Sequence, residues 1–269
     1  MISIEFSVVS GKRLHALLES IRQQTYQDYE IIIVNSDPGS RDTIRDFGAK
    51  ELFIRTGKLE ARKKAHEASK GQYELLLEET RILRYDALQK LASLSDPDMA
   101  IINEEEIGDG LINKLNRLDA EIAFKYASPD PSNLYLLPRY YRRAVLDYSF
   151  KQAYANLPEE KIPKIVASDL EIIYTEAFKR FKGIVKVDDL LIKKYGETTI
   201  RESFSKYYRY GQTQKVLSGT CYGDFYSFGK RRRKIPEIRY LPMMIAIYAI
   251  RGSAFFLGYH LGNVKQKEK

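Results

Sequence analysis

Cysteine occurs once in the 269 residues, at Cys221, and tryptophan does not occur at all. A lone thiol excludes an internal disulfide and offers no paired-cysteine redox or zinc motif. Histidine is nearly as scarce: His15 and His66 fall in separate predicted helices and His260 near the tail, which excludes zinc-site spacing. Walker and dinucleotide-binding glycine fingerprints are missing, as are internal repeats and low-complexity tracts. No charged-then-apolar leader stands before the first apolar segment, and the expectation is a chain at work in the cytosol.

What is present is the mixture of an ordinary folded protein, 44% hydrophobic and 30% charged, in enough length for one large core domain or a domain with an appendage. The charge is one-sided, with a net +8 and a pI near 9.2. Such an excess suits nucleic acid, an anionic membrane face or a phosphate-bearing substrate, and its distribution narrows the choice. A dense basic cluster at 229–239, GKRRRKIPEIR, runs straight into the apolar YLPMMIAIYAI. Crossing a bilayer takes roughly 20 apolar residues, and Arg251 interrupts this run early. Residues 236–262 are therefore expected to lie on or dip into a membrane face, with the basic cluster drawn to anionic head groups. The alternative is a pair of core helices behind a solvated charge run. No nucleic-acid motif accompanies the charge, and no nucleic-acid partner is expected.

Periodicity supplies the elements. ISIEF (2–6) reads as a strand, RLHALLESIRQQ (13–24) sets Leu14, Leu17, Leu18 and Ile21 on one helical face, and YEIIIV opens a β-branched run suited to a strand buried on both faces. A short helix over 40–47, the strand ELFIR, the helix KLEARKKAHEAS and the strand QYELLLEE continue the alternation to about residue 95. This is the pattern of an α/β fold with a mainly parallel sheet flanked by helices. After LLEET, Arg81 opens a segment expected to be helical, and DMAIINEEE reads as a further strand. Residues 108–127 read as a helix or a strand and helix, and 133–150 as an aromatic-rich stretch broken at Pro138. A helix over 165–181 would be capped by Ser168 or Asp169. Ligands of such sheets sit at the carboxyl ends of strands. Glu78 and Glu79, in LLEET, therefore stand either at a ligand or where a buried strand meets water.

In ordered segments over most of residues 2–211 the chain resembles the family 2 glycosyltransferases, nucleotide-sugar-dependent enzymes with a GT-A (Rossmann-like) fold. LLESIRQQTYQDYEIIIVNSDPGSRDT is similar to the family's leucine-rich helix, Gln-Thr-Tyr and following strand. KLEARKKAHEASKGQYELLLEET resembles the stretch from Ala-Arg to the Asp-X-Asp strand end. ASDLEIIYTEAFKRFKGIVKVDDLLIKKYG resembles the Glu-Asp segment with the catalytic base, and KYYRYGQ the Tyr-Gly signature after it. The resemblance implies a glycosyltransferase domain over 1–228, followed at 229–269 by a basic and apolar helical segment that packs on the core or on a membrane face.

The resemblance also implies site residues. Val8, in the loop after the first strand, Asn35 with Asp37, Arg62, Glu78 and Thr80 fall at nucleotide-sugar positions. An Asn35 amide suits a pyrimidine edge, although Asn35 and Asp37 equally suit a turn beside Pro38 and Gly39. Arg62 would pair with phosphate, against a plain surface role. Thr80 takes the usual metal-binding acid position, leaving Glu78 and Glu79 as candidate ligands for a divalent cation, Mg or Mn. Without a metal, cations such as Arg62 or Arg81 would have to neutralise the diphosphate. Asp169 is the candidate catalytic base of an inverting displacement, with a helix cap as its competing role. LPRYYRRAVL (137–146) mixes Arg and Tyr as an RNA-binding surface would, but its place between motifs fits an acceptor-side wall. The implied partners are a nucleotide-sugar donor and a glycan or polyprenyl-phosphate-linked acceptor at the cytoplasmic membrane face. Asn35, Thr80 and Ser168, standing where acids are usual, motivate the alternative of a relative that binds nucleotide or glycan without turnover.

Overall fold

The computed structural model describes residues 1–131, 136–225 and 241–262. Its first half alternates strand and helix: β1 (Ile2–Val8), α1 (Leu14–Arg22), β2 (Tyr29–Asn35), α2 (Arg41–Asp46), β3 (Lys50–Phe53), α3 (Lys58–Ala68) and β4 (Tyr73–Leu76). Parallel pairing sets β1 between β2 and β4, with β3 outside β2. Helices cover both faces of these strands. On one, Ile2, Ile4 and Phe6 pack with Leu14, Leu17, Leu18 and Ile21 of α1; on the other, Ile32 and Val34 pack with Ala61 and Ala65 of α3. That explains the uninterrupted apolar runs, since a strand covered twice has no solvent side to mark with polar residues.

The second half adds β5 (Arg81–Leu83), α4 (Ala87–Ala92), β6 (Met99–Ile107), α5 (Leu111–Tyr126), β7 (Tyr140–Arg142), α6 (Arg143–Asn156), α7 (Asp169–Arg180), β8 (Ile184–Tyr195), α8 (Ile200–Leu217) and α9 (Leu241–Leu261). The sheet order is β3-β2-β1-β4-β7-β6-β8-β5. The expected α/β class holds, and the second half makes the sheet mixed: β7 runs antiparallel between β4 and β6, and β5 antiparallel against β8.

One local expectation changes. Arg81, Ile82 and Leu83 are not helical but pair with Lys194, Lys193 and Ile192 of β8. The helix begins only at Ala87. A three-residue strand is too short to show a period, so the tertiary partner decides it. In the aromatic stretch, Tyr140 and Tyr141 are buried in β7, and Tyr140 stacks on Tyr73 with ring centroids 4.9 Å apart. The sequence of β8 carries no clear strand alternation, since its pairing with β6 shifts register around Asn103.

α9 is long and apolar enough to cross a membrane by length and composition, yet one side of it is docked. A methyl at Gly211 of α8 would overlap the Phe255 carbonyl oxygen, and one at Gly258 the Tyr208 carbonyl oxygen, so the two helix backbones touch there. Arg251, the interruption in the apolar run, reaches across to α5: Nη1 donates to Asp119 Oδ2 and Nη2 to Asn116 Oδ1, each at 2.7 Å. Met244, Ile247, Arg251, Ala254 and Gly258 form the buried side, while Met243, Ile245, Tyr248, Phe256 and Leu261 stay exposed. The basic cluster at 229–239 lies outside the described residues.

Candidate functional site

The carboxyl ends of β1, β2 and β4 lie side by side, and most of the candidate residues follow from that register. Val8 ends β1 and is buried; its carbonyl accepts from Ser36 N and Ser36 Oγ, both at 3.0 Å. Asn35 ends β2 fully buried, donating to Glu51 Oε1 at 2.8 Å and accepting from Asp37 N at 2.8 Å. The Asp37 carboxylate accepts from Gly39 N at 3.3 Å and Ser40 Oγ at 2.6 Å, so the turn beside Pro38 forms on it. Gly11, with φ of 65°, passes so close that a Cβ would stand 2.8 Å from Asp37 Oδ2. Ser36 thus joins the loop after β2 to the end of β1, while Asn35 and Asp37 shape that loop itself.

Beyond β4 the three residues of the acid triplet part company. Glu79 turns back to the loop after β1, where Oε2 accepts from Val9 N at 3.2 Å, Gly11 N at 3.3 Å and Ser10 N at 3.5 Å, and Oε1 from Ser10 Oγ at 2.7 Å. Glu78 faces cations: Lys58 Nζ lies 3.3 Å from Oε1, and Arg81 Nη1 donates to Oε2. Thr80 gives its backbone carbonyl to Tyr195 N at 2.8 Å. Arg81 also pairs with Glu104 at 3.3 Å, and Glu104 with Arg139. Burial alone would raise the Glu78 carboxyl, but Arg81, Lys58, Arg139 and Arg62 outweigh it and hold the group well below the usual carboxylate range. For Glu104 the same contest between burial and the two arginines ends at about 2.

Arg62 sits behind this edge, 3% exposed, with its donors turned inward. Nε donates to Asp169 Oδ2 at 3.1 Å, Nη1 to Glu5 O at 3.2 Å and Nη2 to Leu77 O at 2.6 Å. Asp169 is the first residue of α7, after Ser168 with a left-handed φ of 64° and no side-chain cap bond. The Asp169 carboxylate therefore goes to the arginine, and the cap role read as its competitor falls to the Ser168 position. α8 overlies the same region. Its Lys206 reaches Glu197 at 2.7 Å, and the Tyr210 hydroxyl is pushed well above its usual range, first by burial and then by Glu171, Glu78 and Asp169.

Of the residues not read as site residues, Glu104 comes from a segment remote in sequence from the named motifs, whereas Arg139 lies in the 137–146 stretch, Lys206 opens KYYRYGQ and Glu171 stands two residues after Asp169. A second cluster was also hidden. Glu5, His66 and Glu74, all buried, bring their ligand atoms within 4.8 Å of one another between the sheet and α3, a group that could hold a metal ion. His66 Nδ1 lies 2.9 Å from both Glu74 oxygens and Nε2 3.0 Å from Asp147 Oδ1, so both ring nitrogens already face carboxylates. Glu5 oxygens have no hydrogen-bond partner among the described residues. A separate cavity of about 450 Å³ borders Tyr29 and Lys50, at the opposite ends of β2 and β3.

Residues 8–103 match the family described as Glycosyl transferase family 2. The fold is similar to S. aureus TarS, with a TM-score of 0.53 and 14% identity over 94% of this chain and 49% of that one. This chain thus spans about half that protein's length. S. aureus TarS 1-349 in complex with UDP-GlcNAc gives a TM-score of 0.55 and 15% identity over 94% of this chain and 81% of that one. Mannosyltransferase PcManGT from Pyrobaculum calidifontis, in complex with GDP-Man and Mn2+, gives 0.55 and 15% over 96% and 72%. No curated protein sequence matches the chain. The family match bears out the resemblance over residues 8–103, and these folds bear out the GT-A architecture.

Proposed function

We propose that this chain, which carries the family 2 glycosyltransferase signature over residues 8–103 on a GT-A fold, moves a sugar from a nucleotide-diphosphate sugar to an acceptor hydroxyl or phosphate with inversion at the anomeric carbon. The observation that carries the reading is the meeting of Arg62 and Asp169. The two lie 107 residues apart in sequence and form a buried ion pair directly behind the end of β4. In this reading the Asp169 carboxylate takes the acceptor's proton as attack develops, and its buried contact with Arg62 supports a positioning role for the arginine. Val8, Asn35 and Asp37 frame the nucleotide side, while Glu78 and Thr80 border the diphosphate. UDP- and GDP-sugars, the donors held by the similar proteins, are the first to try.

The catalytic unit is taken as residues 1–228 and the appended segment as 229–269. With its exposed apolar side next to a basic stretch, α9 supports peripheral attachment to the cytoplasmic membrane face and a polyprenyl-phosphate-linked acceptor.

The test is turnover by the full-length chain with UDP- and GDP-sugars and polyprenyl phosphate in anionic vesicles. Asp169→Asn is expected to lower turnover about 100-fold or more, with donor affinity held within about two-fold. Unchanged turnover in that variant removes Asp169 from the chemistry. Donor binding by the wild type with no turnover supports instead the non-catalytic relative, which Asn35, Thr80 and Ser168 favour.

A further inference from the structure

A divalent cation is expected beside the diphosphate from the resemblance, and the residues at the end of β4 do not fit one. Thr80 brings no carboxylate. Glu79 has both oxygens engaged by three backbone N–H groups and a hydroxyl of the loop after β1, an arrangement that binds an anion and here binds this one. Glu78 lies between Lys58 and Arg81. A doubly charged cation at Glu78 would meet the like charges of Lys58, Arg81, Arg139 and Arg62, whose influence on that carboxylate is already strong.

We propose that the chain neutralises the donor's diphosphate with its own side-chain cations, Lys58 and Lys206 in front and Arg81 and Arg139 behind, in place of a divalent metal ion. This deepens the donor-site reading above and rests on it. The division of labour follows from burial. Lys58 and Lys206 side chains are 35% and 34% exposed, each paired with one carboxylate; Arg81 and Arg139 are 5% and 11% exposed and held on Glu78 and Glu104. Arg81 stays beside Glu78, so Lys58, 3.3 Å from that carboxylate, can turn to phosphate and leave it a cation. Lys206 comes from α8, and Glu197, its partner, is also held by Asn116 Nδ2 at 3.2 Å, so Glu197 keeps a donor when the lysine turns to phosphate.

In the transfer, the bond from the anomeric carbon to the diphosphate oxygen breaks as the acceptor oxygen bonds to that carbon. The acceptor proton passes to Asp169. The departing diphosphate keeps the electron pair, and the two ammonium groups meet its growing charge.

The experiment is calorimetric titration of the full-length chain with UDP, GDP and inorganic pyrophosphate, in EDTA and in Mn2+ or Mg2+. The expected result is a nucleoside diphosphate Kd in EDTA within about two-fold of that with metal. Lys58→Gln and Lys206→Gln should each weaken it about ten-fold or more, and Lys58→Arg should restore most of the loss. Unliganded melting temperatures of the variants, matched to wild type, separate lost contacts from lost folding. Binding only in the presence of metal overturns this proposal and leaves the donor site standing. Wild-type affinity in both glutamine variants also overturns it. No binding of any diphosphate under either condition overturns the donor-site reading and this one together.

Discussion

Arg62 Nε donates to Asp169 Oδ2 at 3.1 Å, with the two side chains 3% and 5% exposed, and the same guanidinium holds the carbonyls of Glu5 and Leu77. One residue on α3 thereby ties β1, the end of β4 and the start of α7 together. Removing it takes the donor from a buried carboxylate and from the Leu77 carbonyl, while the Glu5 carbonyl keeps Leu77 N at 2.8 Å. Arg62→Ala should therefore cost about 3 kcal/mol in urea unfolding. Arg62→Lys, which keeps charge but loses the fork, should fold better yet lower kcat with KM little changed, as expected of a group that positions the base. A KM increase with kcat intact would place Arg62 on the donor instead.

Glu104 supports the strand-end charge network. Its carboxyl sits at about 2 in the folded chain against an ordinary 4.5, because Arg139 and Arg81 outweigh burial. A depressed value of this kind contributes stability that is present above the unfolded value and lost as pH falls toward the folded one. Unfolding free energy should decline between about pH 5 and pH 2, and Glu104→Gln should flatten that part of the profile while costing about 3 kcal/mol at pH 7.

Glu5 behaves in the opposite sense. Burial first, and the adjacent Glu74 second, raise its carboxyl well above the usual range. The folded chain then holds this proton more tightly than the unfolded chain, so the contribution is full below the unfolded value and disappears as pH rises through the folded one. Glu5→Gln, neutral at every pH, should match or exceed wild-type melting temperature at pH 7.5. That advantage should shrink on titration to pH 5. A strong loss of stability at pH 7.5 would mean the ionised carboxylate is needed there.

The two sides of α9 should separate by mutation. Gly258→Val drives methyl groups into the Tyr208 carbonyl and should destabilise by about 1–3 kcal/mol. Ile245→Asp and Phe256→Asp, on the exposed side, should change unfolding free energy by no more than about 0.5 kcal/mol while sharply reducing co-sedimentation with anionic vesicles. Equal sedimentation of both aspartate variants and wild type would remove this face from membrane binding.

The sequence by itself determined the local elements and the strand ends. Leu14, Leu17, Leu18 and Ile21 repeat with the helical period, the β-branched run into Asn35 marks a strand covered twice, and LLEET marks where β4 stops. It also placed Asp169 at the start of a helix. These features are local, because period and turn chemistry act over a few residues. Tertiary structure alone decided the rest. That Arg81 starts a strand depends on Lys194 across the ladder, and that β7 enters between β4 and β6 depends on both neighbours. Arg62 turns from the cleft toward Asp169, and Glu79 toward the loop after β1, because a charge takes the partner that folding brings within reach. Periodicity tells which face of an element is buried. Which charges meet on that face is settled by contacts between residues tens of positions apart, where no local pattern records them.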